Sequence, residues 1–265
     1  MRKEKRPICQ GLFLAAVMLL PAISHATLVD GSRLQTQGDA VVGATFLNWQ
    51  CDQPGDLTGC GTHYGDFAIG TNGVSTGSFA QYNGTFGQIL DINNTNAPLN
   101  TNVSLANFII FDQAGNSTTG NITLTLNLIP LGTDTVSTNC VGLTHCTPQN
   151  AALITAQNPL GLSAFNLDSN AGGTTAQFAV MGTVLDGHGD TATFIALFSS
   201  TFAGETPAQV LAQALSTNGT SPIESFANSV TITVVPEAAT LWLTGGALLA
   251  LGCARKQVFQ RLSRR

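Results

Sequence analysis

Positive charge is almost absent from the middle of this 265-residue chain. Of its ten lysines and arginines, four lie in the first six residues and five in the last eleven, which leaves Arg33 alone between Thr27 and Ala254. The same stretch carries 14 acidic residues, and 14 negative charges against one positive charge make a formal net charge of −13. Proteins that bind nucleic acid neutralise phosphates with clustered cations. The sequence therefore excludes a nucleic-acid partner.

Long apolar runs are also scarce, and the first of them lies near the N-terminus. The run from Leu12 to Leu20 follows a cationic start and precedes the small-residue exit that ends at Ala26. This order is typical of a secretory signal peptide, with cleavage expected after Ala26. A membrane anchor, the alternative, needs roughly 20 apolar residues, about twice this run. We therefore interpret residues 1–26 as a signal peptide that the Sec translocon reads.

The second apolar run lies near the C-terminus. Residues 238–254 contain no charge, and at about 1.5 Å per residue they would form a helix of about 25 Å, enough to cross a thin bilayer. Arg255 and Lys256 follow at once and would hold the basic tail, residues 255–265, in the cytoplasm. A buried core helix is the alternative, but it leaves the cluster of cations behind the run unexplained. We expect a transmembrane helix over residues 238–254.

A short motif precedes this second run. Val235, Pro236 and Glu237 are followed by the apolar segment and the basic tail. In this order, residues 235–265 resemble the PEP-CTERM sorting signal of Gram-negative bacteria, with the motif at residues 235–238. The resemblance implies export, transient anchoring in the inner membrane and recognition by an exosortase, in organisms that make exopolysaccharide. Ala238 stands where the family has a second proline, which predicts less efficient processing and leaves a permanently anchored form open.

Residues 27–234 are long enough for one domain and are rich in short alternating segments. Strict alternation from Ile122 to Leu128 predicts a half-buried strand, and Gly, Asn and Asp punctuate the gaps between such segments. Similar segments run over residues 40–47, 108–111, 178–185, 192–202 and 230–234. Many short strands separated by turns favour an all-β fold, an antiparallel β-sandwich.

One segment of this body has a helical pattern instead. Thr206 would cap the helix, Pro207 would occupy its first turn, and Asn218-Gly219 would end it. Val210, Leu211 and Leu215 would then face the core. The predicted fold is a β-sandwich with one short helix.

Four cysteines remain once Cys9 leaves with the signal peptide and Cys253 is placed in the membrane segment. In an oxidising exterior an even count favours disulfide bonds, and four cysteines allow three pairings. The local pairing is favoured because each pair closes a loop dense in turn residues. The pairs are Cys51 with Cys60, and Cys140 with Cys146. A zinc site with His63 or His145 is the alternative, although the spacing does not fit the usual paired cysteine motif.

Two carboxylates and an imidazole crowd together only in the segment DGHGD, from Asp186 to Asp190. Asp186 and Asp190 are weak candidates for Ca²⁺ ligands, since Ca²⁺ prefers several hard oxygen ligands. Asp-Gly and Gly-Asp pairs are also what a tight hairpin uses to reach positive φ. The hairpin is the favoured interpretation, and no metal or other cofactor is expected.

Signs of catalysis are weak. The segment from Gly73 to Gly77 matches the G-x-S-x-G motif of a nucleophile elbow, with Ser75 as the serine. That mechanism requires a helix after the serine, and the residues that follow have no helical apolar face. A hydrolase, one alternative function, would also need a histidine base in a polar cleft. We therefore expect no enzyme activity.

A carbohydrate-binding module is the other alternative, with exposed aromatic rings as its platform. Trp49, Tyr64 and Tyr82 are the candidates, and the alternative requires two of them on one exposed face. The favoured hypothesis is an exported protein of the cell surface or exopolysaccharide matrix. Its role would be structural or binding, with exopolysaccharide as a partner.

Overall fold

The computed structural model describes residues 28–43, 45–51, 60, 62–70, 74–111, 122–187, 189–216 and 223–233. Thr27–Val234 forms one compact unit. The expected signal peptide with Ala26, the motif of Val235, Pro236, Glu237 and Ala238, and the expected transmembrane helix all lie outside the described residues.

The described residues are mostly β-sheet with one short α-helix, which confirms the β-rich fold with a single helix. The strands are β1 (Arg33–Val42), β2 (Phe46–Trp49), β3 (Tyr64–Ile69), β4 (Phe86–Leu90), β5 (Ile92–Asn93), β6 (Leu105–Phe111), β7 (Thr123–Leu128), β8 (Val136–Ser137), β9 (His145–Pro148), β10 (Asn166–Asn170), β11 (Gly173–Leu185), β12 (Thr191–Ala203) and β13 (Ile223–Thr233). The helix is α1 (Pro207–Ser216), and two 3₁₀ turns cover Gly77–Tyr82 and Ala151–Leu153.

Eight of these strands hydrogen-bond into a closed ring. The order is β11, β12, β13, β1, β3, β4, β6, β7 and back to β11, and every neighbouring pair is antiparallel. The first half of β11 has a second partner, β10, which pairs in turn with β9. The strands β10, β9 and β8 thus form a side sheet that branches from the ring at β11.

Alternation along the strands places the core inside the ring. On β12, Phe194 and Phe198 are almost fully buried, whereas Ile195 and Leu197 point outward and are 49% and 44% exposed. The strand β7 behaves in the same way, because Leu124 and Leu126 are completely buried. A period of two is what a sheet with one buried face requires. The pleat of the strand therefore decides which side chains enter the core, even on β12, where the outward residues Ile195 and Leu197 are apolar as well.

One predicted strand is wrong. Residues 40–47 were expected to be continuous, but the chain turns after Val42, and Ala40 pairs with Trp49 in a hairpin between β1 and β2. Gly43 donates its N–H to the Phe46 carbonyl at 2.9 Å. The apolar pattern does not break at this turn, so alternation alone cannot reveal it.

The helix begins as predicted. Thr206 Oγ1 accepts the Gln209 N–H at 3.4 Å, while Gln209 Oε1 accepts the Thr206 N–H at 2.8 Å, a capping box. Val210 and Leu211 are buried, but Leu215 is 46% exposed, so its expected place in the core is wrong. In the part of the chain that the structure describes, no helix is long and apolar enough to cross a bilayer.

Candidate functional site

Both local cysteine pairs are disulfide-bonded. Cys51 is bonded to Cys60, and Cys140 to Cys146, with Cα atoms 5.9 and 5.7 Å apart. The prediction of disulfides is confirmed. Zinc needs free thiolates as sulfur ligands, so the alternative in which these cysteines join a histidine around zinc is wrong.

Asp186, Gly187, Gly189 and Asp190 lie in the turn of the hairpin between β11 and β12, and His188 lies outside the described residues. Asp186 is buried, and its Oδ1 accepts the Asp190 N–H at 2.8 Å, while its own N–H donates to the Asp190 carbonyl at 3.1 Å. One carboxylate oxygen of Asp186 is therefore used to close the turn, as the hairpin interpretation requires.

Ser75 is fully buried and has a structural contact in this fold. Its hydroxyl oxygen accepts the Gln35 N–H at 3.0 Å, which joins it to β1, and its own N–H donates to Asn83 Oδ1 at 2.8 Å. The segment that follows is the 3₁₀ turn Gly77–Tyr82. A nucleophile elbow holds its serine exposed on a strained turn before a helix, whereas Ser75 is buried and only six residues of 3₁₀ helix follow it.

Two of the three candidate platform aromatics are buried. The Trp49 ring lies 5.1 Å from the ring of Phe198, and Trp49 Nε1 donates to the Leu90 carbonyl at 3.0 Å. Tyr82 stacks on Phe111 with ring centroids 4.2 Å apart. Tyr64 alone of the three is half-buried. The requirement of two exposed rings on one face is not met.

An apolar cavity of about 150 Å³ lies among the described residues. Its walls come from the ring and from β2, β10 and α1, and include Trp49, Phe178, Phe198, Leu167 and Leu211. The described side chains that line it carry no charge. Such a cavity favours an apolar group, because most of its lining surface is apolar and a buried polar ligand would find few hydrogen-bond partners.

A cluster of three titratable side chains lies on the side sheet. β9 and β10 pair so that His145 lies directly opposite Asp168. His145 Nδ1 is 2.7 Å from Asp168 Oδ1, and the other oxygen of Asp168 accepts the Gln177 side-chain N–H at 2.7 Å. Asp134 joins them, and one potential ligand atom from each of the three residues lies within 4.8 Å of the others.

A buried hydroxyl positions the loop that carries Asp134. Thr147 on β9 is completely buried, and its Oγ1 accepts the Asp134 N–H at 2.8 Å. The same hydroxyl donates to Asn166 Oδ1 at 2.7 Å, and that oxygen also accepts the Thr133 N–H at 3.0 Å. Thr147 and Asn166 thus fix the backbone of the loop against β9 and β10.

The charges of the cluster perturb one another. Burial raises the pKa of Asp134 above its ordinary value, and the neighbouring Asp168 carboxylate raises it further, partly opposed by His145. The hydrogen bond to Asp168 raises the pKa of His145, and the negative charges of Asp168 and Asp134 add to this effect. Two carboxylates and an imidazole in this arrangement favour a bound proton or another cation.

Sequence patterns single out His145 only as a zinc candidate with cysteines, and they miss Asp134 and Asp168. His145 and Asp168 lie 23 residues apart, and they meet only because β9 pairs with β10. No local spacing motif could have found them. The scarcity of charged residues in this part of the chain is the only signal that the sequence offers for the cluster, and it is weak.

Comparison with known proteins found nothing similar to this chain. No protein-family model, no curated protein and no solved structure matches it.

Proposed function

We propose that this chain is an exported protein of the cell surface or extracellular matrix, with a structural or binding role and no catalysis. The observation that carries the proposal is the pair of disulfides, Cys51–Cys60 and Cys140–Cys146, which fits an oxidising compartment outside the cytosol. In the cytosol, glutathione and thioredoxin keep such pairs reduced.

The distribution of charge supports the same destination. One arginine against 14 acidic residues between Thr27 and Ala254 makes the body strongly anionic, while the cations lie at the two ends, where they would orient the chain in a membrane. We propose that the Sec translocon exports the chain. An exosortase would then recognise residues 235–265, so that the inner membrane holds the protein only transiently.

The finer architecture is also a proposal. The eight-stranded ring would be flattened into two antiparallel walls packed face to face, as in a β-sandwich. Its filled interior supports this arrangement, since Phe194, Phe198, Leu124 and Leu126 are all buried. The ring contact between Trp49 on β2 and Phe198 on β12 is of the kind that joins two packed sheets.

Fractionation of the native organism with and without its exosortase tests the proposed export and sorting. The expected result is a shortened polypeptide at the surface or in the matrix when the enzyme is present. In its absence the uncut chain should be trapped in the inner membrane. A chain dissolved in the cytosol, with every cysteine open to alkylation, would contradict the proposal.

Exopolysaccharide is the partner that the charge suggests. The stretch from Thr27 to Ala254, with its formal net charge of −13, repels an anionic polysaccharide unless divalent cations bridge them, and both effects weaken with salt. Extraction of the matrix with chelator and with added salt should release the protein. Retention that neither treatment changes would rule out this mode of attachment.

A further inference from the structure

We propose that Asp134, His145 and Asp168 form a binding site for one divalent transition-metal ion such as Zn²⁺. The three side chains come from the loop before β8, from β9 and from β10, and one potential ligand atom from each lies within 4.8 Å of the others. The site does not depend on the proposed export.

The strongest reason is an oxygen that a plain ion pair leaves unsatisfied. In the ion pair, His145 Nδ1 meets Asp168 Oδ1, and Gln177 donates to Asp168 Oδ2. Oδ2 of Asp134 is buried, yet no hydrogen-bond donor among the described residues reaches it. The Asp168 carboxyl group, which is within its reach, is another acceptor. Either a shared proton or a metal cation can satisfy this pair of carboxylates.

The donor set indicates the class of metal. One imidazole with two carboxylates suits Zn²⁺ and its neighbours in the transition series, whereas Ca²⁺ and Mg²⁺ prefer oxygen alone. Three protein ligands leave a fourth position of a tetrahedral ion for water. The His145 side chain is 65% exposed, so this position can open toward solvent.

The surroundings hold the three ligands in place before any metal arrives. Cys146, next to His145, is bonded to Cys140, and Thr147 fixes the backbone of Asp134. Gln177 orients Asp168 through its second oxygen. Such outer contacts are typical of metal sites, where they orient the ligands and raise affinity.

Titration calorimetry with ZnCl₂ on the untagged, chelator-treated full-length chain tests the proposal. His145→Ala and Asp134→Asn each remove one ligand, and His63→Ala is the matched control, because His63 is an exposed histidine outside the cluster. Co²⁺ titration of the same variants reports ligand geometry through its visible absorption. Urea unfolding of each variant shows that the fold is retained.

We expect one Zn²⁺ per chain, with affinity lowered at least about tenfold in His145→Ala and in Asp134→Asn and unchanged in His63→Ala. Co²⁺ should give the intense absorption of a four-coordinate ion in the parent chain and lose it in His145→Ala. Absence of saturable Zn²⁺ binding would overturn the proposal. So would binding that folded His145→Ala and Asp134→Asn retain in full, since the metal would then be held elsewhere.

Discussion

At the scale of single residues, the buried hydroxyl of Thr147 organises the side sheet. It joins the Asp134 N–H to Asn166 Oδ1 while being completely shielded from water. A buried donor that loses its acceptor keeps its full desolvation cost. Thr147 is therefore more important to stability than its size suggests.

Replacement of Thr147 by valine keeps the shape and removes this acceptor. We expect the free energy of unfolding to fall by about 1–3 kcal/mol, because the Asp134 N–H is left without its partner. Urea denaturation measures the change. Thr201→Val, at an exposed position of β12, is the control and should change stability by less than about 0.5 kcal/mol. Equal effects of the two substitutions would show that the hydrogen bond between the Thr147 hydroxyl and the Asp134 N–H does not stabilise the fold.

The pairing of His145 with Asp168 predicts a pH effect. The pKa of His145 is raised from its ordinary value of 6.5, chiefly by the hydrogen bond to Asp168. A raised pKa in the folded state means that the pair stabilises the fold below the unfolded pKa. This stabilisation is lost as the pH rises through the folded pKa.

NMR titration of the His145 ring in metal-free protein measures this shift. In Asp168→Asn the negative charge is gone, so the pKa of His145 should fall back toward 6.5. If the titration is the same in both proteins, the ring does not pair with Asp168 in solution.

At the scale of elements, β11 connects the ring to the side sheet, because it pairs with β12 along its whole length and with β10 and β7 in succession. The register with β7 shifts between Met181 and Gly182. A Cβ atom on Gly182 would overlap the Thr125 carbonyl oxygen and lie 2.5 Å from Phe194 Cε1. The close approach of β7 and β11 thus requires glycine here.

Gly182→Ala should destabilise the fold by about 1–3 kcal/mol, since neither the β7 backbone nor the buried Phe194 ring can move without loss of packing. Urea denaturation tests this. Gly172→Ala is the matched control, because its Cβ would meet only Asn170 Oδ1, at 3.4 Å, an ordinary contact. A tolerated Gly182→Ala would mean that β7 and β11 are further apart than described.

Several elements could be predicted from local sequence, and others could not. Residues 178–185 and 192–202 were predicted to be strands and lie in β11 and β12, and Thr206 with Pro207 begins α1 as predicted. The turn after Val42 and the exposure of Leu215 were missed. Both depend on which neighbour packs against the segment, and the segment itself does not carry that information.

At the scale of the whole molecule, the closed ring removes most free strand edges, while β10, β9 and α1 enclose the apolar cavity against it. Ala176 on β11 lines this cavity, whereas Ala196 on β12 is fully buried and does not. A larger side chain at Ala176 would therefore extend into the cavity, whereas the same change at Ala196 would meet packed atoms.

Ala176→Val should raise the free energy of unfolding by about 1 kcal/mol, because two added carbons would fill part of the cavity. Ala196→Val should lower it by about 1–3 kcal/mol through overpacking. Chemical denaturation of both variants compares them directly. A loss of stability in Ala176→Val as large as that in Ala196→Val would mean that the cavity is closed in solution.

The sequence by itself determined the β-rich class, the short helix and the favoured local disulfides. Each of these depends on neighbours along the chain: alternation with a period of two, a capping residue before a proline, and cysteines close enough to close a short loop. Only the tertiary structure decided how the ring closes and where the cavity lies. It also decided that Asp134, His145 and Asp168 meet, because strand pairing joins residues far apart in sequence, and no local pattern specifies which strands will pair.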